Sequence, residues 1–148
     1  MKVIVQRVDN SKVEVDRKIT GKIDKGFMLL VGFTKTDTVS EIDWMVKKIS
    51  NLRIFDDENG VMNLSIKDVN GSILSVSQFT LYGDAKKGNR PTYIKALGGD
   101  EATKLYDLFN EKLREENLKV ETGIFGADMK VSLVNDGPVT IILEKENA

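Results

Sequence analysis

The sequence predicts an α+β fold: one domain, residues 1–148, in which an antiparallel, mixed or barrel-like sheet carries two main helices. Three observations predict it. Short stretches of alternating apolar residues recur along the chain, as in "KVIVQRV" near the start and "VSLVNDGPVTIIL" near the end. Two other stretches space their apolar residues for a helix: Ile42, Met45, Val46 and Ile49 in one, Leu105, Leu108, Phe109 and Leu113 in the other. Finally, 148 residues that are 41% hydrophobic and 30% charged suit one core. No repeat, low-complexity segment or linker divides the chain.

Each element has its own signal. "KVIVQRV" alternates, Asp9-Asn10-Ser11 interrupts it, and "KVEV" alternates again, which predicts a hairpin. A short strand punctuated by Thr20-Gly21 follows. The apolar run "FMLLVGF", residues 27–33, predicts a central strand. Residues 36–40 supply turn and N-cap residues for the first helix. Asn59-Gly60 and Asn70-Gly71 are hairpin-turn dipeptides. "SILSVSQFTLY" is strand-like through Ser77 and then more polar. Residues 83–99 read as loop and residues 100–117 as the second helix. "LKVETGIF" and "VSLVNDGPVTIIL" complete the strands.

Composition narrows the chemistry. The chain has no cysteine and no histidine. Disulfides, thiol nucleophiles, Ser-His-Asp triads and the commonest zinc ligand are therefore excluded. An enzyme of this composition works with carboxylates, lysine, hydroxyls, backbone groups or the substrate itself, and no cofactor or metal is expected. The net charge is −1, from 22 basic and 23 acidic residues, which does not advertise nucleic-acid binding. The densest basic stretch, "AKKGNRPTYIK", reads on charge alone as a solvated loop. No run of about 18 apolar residues marks a membrane span, and the start shows no signal-peptide pattern. A cytoplasmic location is expected.

Three segments are candidates for a site. In "SVSQFTLYGD", regular strand alternation would put Ser77 and Phe79 on one face, Gln78 and Thr80 on the other. The run is either a site wall or a strand leaving the core. In "VNDGPVT", Asp136-Gly137 fits a tight hairpin turn, but Pro138 then opens the returning strand and removes a ladder donor, which suits only an edge or a bulge. "GADMK" carries a lone carboxylate, Asp128, and reads as a loop ahead of the last strand pair. "FDDENG" reads as a hairpin tip without calcium-ligand spacing.

Together "SQFTLYGD" and "NDGPVT" resemble the paired signature of the D-aminoacyl-tRNA deacylases. "VIVQRV", "KISNLRIFDDENGVMNLSI", "GNRP" and "VETGIFGADMKVSLVNDGPVT" extend the resemblance over nearly the whole chain. Gly83 departs from the family's common Ala, and Thr92-Tyr93 from its common Ser-Phe; both lie outside the two signatures. The resemblance implies a homodimer with its active site at the subunit interface, tRNA as partner, and a proofreading role in translation. It implies hydrolysis of the ester joining a D-amino acid, or mischarged glycine, to the 3′-terminal adenosine of tRNA, with the L form spared. By resemblance, Gln78, Phe79 and Thr80 are catalytic. Ser77, Met129, Gly137, Pro138 and Val139 bind substrate and select its hand, with Gly137-Pro138 cis and reaching into the partner's pocket. Arg7 looks like the brace of that loop.

The chemistry such a site would use fits the composition. An aminoacyl ester is already activated, so a positioned water can attack it. The backbone N–H groups of Phe79 and Thr80 are candidate oxyanion donors, and the substrate's 2′-OH can replace the missing histidine. That reading is preferred to Thr80 as a covalent nucleophile, which would need an adjacent base, with lysine the remaining candidate. Chirality would be read by exclusion: with the α-ammonium held by the carbonyls of the Gly137-Pro138 turn, an L side chain meets rigid backbone. Lys86, Lys87 and Arg90 then become candidate holders of tRNA phosphates. Two other classes compete: a non-catalytic dimeric tRNA-binding module, and a metal-dependent hydrolase, which the lack of His and Cys disfavours.

Overall fold

The computed structural model describes residues 1–147. Eight strands and two α-helices follow in the order β1 (Lys2–Val15), β2 (Lys18–Ile23), β3 (Gly26–Gly32), α1 (Val39–Asn51), β4 (Phe55–Asp56), β5 (Met62–Leu64), β6 (Ser72–Ser77), α2 (Gly99–Glu115), β7 (Lys119–Thr122) and β8 (Lys130–Glu144). A 3-10 helix, Phe79–Tyr82, follows β6.

The sheet is mixed and curls toward a barrel. One edge of β1 is shared by β3 and β2, and the other is covered by β8 along nearly its full length, all antiparallel. β3, β6 and β7 run parallel, and helical crossovers join them. β2 then lies against β6 and β7. The approach is close: a Cβ on Gly21 would stand 2.7 Å from the Thr122 carbonyl oxygen. Among the described residues β8 pairs only with β1, which leaves its outer edge free. β4 and β5 form a separate small hairpin around Asn59-Gly60, as the dipeptide predicts.

Two apolar clusters explain the patterns. The larger holds Val3, Val5, Phe27, Leu29 and Val31 of the sheet against Ile42, Met45 and Ile49 of α1 and Phe109 and Leu113 of α2. The smaller, on the other face, holds Val8, Val13, Ile23, Met28, Leu74 and Val76. β3 contributes to both, which is why its sequence is an unbroken apolar run. α1 begins at a reciprocal capping box, Thr38 with Glu41. In α2 the buried face is Ala102, Tyr106, Phe109, Asn110 and Leu113, and the expected Leu105 and Leu108 are only half-buried. No helix among the described residues is long and apolar enough to cross a membrane.

Three expected hairpins are corrected. Asp9-Asn10-Ser11 is not a turn: β1 runs through it, with register shifts against β8, because Ser11 is buried and its hydroxyl donates to the Ser132 carbonyl at 2.8 Å. The chain reverses at Asp16-Arg17 instead, both at positive φ (49° and 67°), the backbone a tight hairpin needs. Asn70-Gly71 turns the chain without making a hairpin, since β6 pairs only with β3 and β7. Asn135–Pro138 lies inside one strand, β8.

Candidate active site

The site begins where β6 leaves the sheet. Ser77 pairs with Val31 of β3, and the Gln78 N–H donates to the Val31 carbonyl at 2.7 Å. The chain then tightens into the 3-10 helix, whose bonds run from the Leu81 N–H to the Gln78 carbonyl (3.3 Å) and from the Gly83 N–H to the Thr80 carbonyl (2.9 Å). The amides of Phe79 and Thr80 precede the first of these bonds and have no partner within the turn. β3 comes close here at Gly32: a Cβ would lie 3.0 Å from the Gln78 oxygen and 3.2 Å from Leu81 Cβ, so a larger residue would press on the turn.

Beside this turn is a cavity of about 230 Å³. Ser77, Gln78 and Phe79 form one wall, and Met129 with Phe125, Gly126 and Ala127 faces them. Strand alternation had separated Gln78 from Ser77 and Phe79. The 3-10 turn abolishes that alternation, and all three line the same space. No lining side chain is ionisable. Met129 is held by close packing, because a Cβ on Gly123 would come within 2.5 Å of its sulfur. Gly126 and Ala127 belong to the candidate segment "GADMK", read there as a loop, and Phe125 is a lining residue that reasoning from the sequence did not single out; its signal was the run "GIFGADM" within the resemblance.

Thr80 does not line the cavity. Its side chain is exposed, and its Oγ1 accepts a hydrogen bond from the Gln78 amide. An amide donor cannot take the hydroxyl proton, so this contact activates no nucleophile. Phe79 is 54% exposed and meets Tyr93 edge-on, with ring centroids 5.2 Å apart. Gly83 lies under that ring: a Cβ there would stand 2.9 Å from Tyr93 Cε1. Gly83 and Tyr93, both at positions where departures from the resembled pattern were expected, thus pack against each other.

Gly137, Pro138 and Val139 lie elsewhere. Gln6 of β1 pairs with Thr140 and Val8 pairs with Asn135, so residues 136–139 bulge out opposite Arg7. Gly137 takes φ 126°, and the Gly137-Pro138 peptide is cis. Arg7 is 6% exposed and ties the start of the bulge to the segment between α1 and β4. Its Nε donates to the Asp136 carbonyl at 3.1 Å and lies 3.3 Å from Asp136 Oδ2. Its Nη1 donates to the Ile54 carbonyl at 2.7 Å, with Asp56 Oδ1 at 3.4 Å. From within, the Val139 N–H donates to Asn135 Oδ1 at 3.0 Å. Gly137 and Pro138 are exposed, and none of residues 137–139 lines the cavity of its own chain.

Of the expected basic group, Lys87 and Arg90 are exposed in a loop closed by paired backbone bonds between Asp84 and Thr92, each 2.9 Å. Of the three, Lys86 alone lines a concavity, which it shares with Tyr82. Asp128 pairs with Lys130 at 3.1 Å on the surface. Among the described residues no three His, Cys, Asp or Glu side chains gather as a metal-ligand set.

A curled mixed sheet with an uncharged pocket on one side and a glycine-proline bulge on its free edge marks a distinct class of small α+β protein. The model of the family described as D-Tyr-tRNA(Tyr) deacylase matches residues 4–144. A Clostridium perfringens protein named D-aminoacyl-tRNA deacylase is 57% identical over 146 residues, covering 99% of this chain and 98% of that one. One of the same name from Thermosipho africanus is 56% identical over 146 residues, with the same coverage. The chain belongs to the D-aminoacyl-tRNA deacylase family. Among solved structures, one described as c-Myc DNA Unwinding Element Binding Protein superposes with a TM-score of 0.93 at 42% identity, covering 99% of this chain and 100% of that one. A probable eukaryotic D-amino acid tRNA deacylase shares the fold, with a TM-score of 0.80 at 20% identity, covering 96% and 97%.

Proposed function

We propose that the protein hydrolyses the ester between a D-amino acid, or mischarged glycine, and the 3′-terminal ribose of tRNA, and spares the L form. Family membership supports the reaction. The observation that carries the mechanism is the separation of two halves on one chain: a pocket without ionisable side chains, and a braced Gly137-Pro138 bulge that does not line it. In our reading the halves meet in a homodimer, each subunit lending its bulge to the other's pocket. The free edge of β8 and its exposed Val134 and Ile142 (49% and 69%) favour that association.

In the step we propose, water adds to the ester carbonyl and the negative charge on its oxygen is met by the Phe79 and Thr80 amides. The neighbouring 2′-OH orients the water and relays its proton. As the tetrahedral intermediate collapses, the bond to the ribose 3′-oxygen breaks, that oxygen takes the proton, and the free amino acid leaves. The bulge's carbonyls hold the α-ammonium, so an L side chain would point into backbone while a D side chain points to open space.

Comparing release of D- and L-amino acids from matched tRNAs tests the reaction. Mixing tests the shared site. Pro138→Ala and Phe79→Ala are each weakened alone; mixed subunits regain one intact site only if pocket and bulge come from different chains. No D-over-L preference refutes the selectivity, and no recovery on mixing refutes the shared site. One observation favours a second reading: the 42%-identical relative is described as binding a DNA element. A nucleic-acid-binding module would hold tRNA and release no amino acid.

A further inference from the structure

We propose that the concavity of about 380 Å³ lined by Lys2, Lys86 and Lys95, with Tyr82, Gly83, Asp84 and Ala85, seats the RNA backbone phosphates that lead to the terminal nucleotide. The inference rests on the deacylase reading above and gives a path for its substrate. The 3-10 helix joins the two places: Phe79, at its start, lines the acyl cavity, and Tyr82, at its end, lines the concavity. At about 2 Å rise per residue the separation is about 6 Å. Stacked nucleotides advance about 3.4 Å each. A strand whose 3′ end occupies the cavity therefore passes the concavity within about two nucleotides.

The charges suit a phosphate. Three ammonium groups and one carboxylate line the space, and Asp84 Oδ1 already accepts from the Lys86 N–H at 2.9 Å. Among the described residues, none of Lys2, Lys86 and Lys95 is in an ion pair, although Glu144 is the register neighbour of Lys2. Lys2 is held in place by the Tyr82 ring, its Nζ 4.7 Å from the centroid. The Lys95 carbonyl accepts from Thr34 Oγ1 at 2.5 Å, which fixes the backbone at that residue. Lys87 and Arg90 do not line this space, so the lysines on β1 and at position 95 take their place beside Lys86.

The molecule supplies its own control. Lys22, Lys25 and Lys119 line a second concavity, about 410 Å³, with Asp24, at the opposite ends of β3 and β6 from the acyl cavity. Lys2→Gln/Lys86→Gln/Lys95→Gln and Lys22→Gln/Lys25→Gln/Lys119→Gln each remove three charges. Thermal melts of both confirm folding; if the first triple variant melts early, Lys86→Gln/Lys95→Gln at exposed positions carries the test. Filter binding of uncharged tRNA and KM for D-aminoacyl-tRNA are measured at two salt concentrations, with D-aminoacyl-adenosine as the truncated substrate. Contact with two phosphates gives a log–log salt slope of about −1.4, so going from about 50 to 200 mM salt weakens the wild type about sevenfold more than the first variant. The expected result is loss of tRNA affinity in the first variant only, with hydrolysis of the truncated substrate unchanged. Equal loss in both variants, or none in the first, overturns the proposal. A protein that binds tRNA through these lysines yet releases no amino acid overturns the deacylase reading and leaves the docking site standing.

Discussion

Arg7→Lys separates the brace from simple burial of a cation. The guanidinium serves two carbonyls at once, Asp136 of the bulge at 3.1 Å and Ile54, between α1 and β4, at 2.7 Å. A lysine ammonium keeps the charge but lacks the planar fork, so it satisfies one carbonyl and abandons the other. A hydrogen bond to a charged group contributes about 1.5–3 kcal/mol. The shorter bond, to Ile54, is the one lysine retains, so the loss falls on Asp136 and loosens residues 136–139. At about 1.4 kcal/mol per factor of ten, discrimination against the L substrate falls by about 10- to 100-fold. The assay is single-turnover deacylation of D- and L-aminoacyl-tRNA beside urea unfolding of the same variant. A variant that loses the stated stability and keeps its full D-over-L ratio would refute the reasoning, because Arg7 would then hold the fold without governing the bulge.

Further outcomes follow from other contacts. Gly32→Ala drives a Cβ to 3.0 Å from the Gln78 oxygen, so stability drops by about 1–3 kcal/mol in thermal melts and turnover drops with it as the turn shifts. Thr80→Ala keeps near-normal single-turnover rates; a loss of about 10²–10³-fold, with an acyl-enzyme trapped in the wild type, contradicts the water mechanism. Because no ionisable side chain lines the cavity, the single-turnover rate from about pH 5 to 9 follows the substrate's α-amine and hydroxide, and a bell-shaped profile from two enzyme groups contradicts this. The hydrogen bond from the Thr38 side chain, against opposing desolvation, holds the Glu41 carboxyl below its ordinary 4.5. Its contribution is complete above that value and is lost as pH falls through the lowered folded-state value. Urea unfolding at pH 7 therefore shows Glu41→Gln weaker by about 1 kcal/mol, and the gap closes in acid.

β3 and α1 were legible because burial on two faces and on one helical stripe write themselves directly into residue order. β1 and β8 were not. Each was read as two strands around a polar break, and each is one strand. A cluster such as Asn-Asp-Gly-Pro marks extra residues between two strand-like halves, and both a hairpin and a bulge supply them. The choice belongs to the partner strand, which here runs past both halves. The same limit applied to the site. Ser77, Gln78, Phe79 and Met129 come together, but the turn that places Gln78 beside Phe79 packs against Gly32 of a neighbouring strand, 46 residues before Gln78 in sequence. Phe125 and Ala127 reach the cavity only because β7 runs parallel to β6 and delivers its loop at the same end.

A strand of 15 residues bonded along one side only is also a hazard. Its free edge offers backbone donors and acceptors to any other extended chain, the starting condition for edge-to-edge aggregation. Pro138 contributes no donor to that edge, and the bulge breaks its course near the middle, leaving two pieces of ordinary strand length. Removing the bulge by deletion would give a smoother sheet and a less soluble protein. The residues read above as judges of a substrate's hand thus also interrupt the run of backbone with which a stray extended chain would pair.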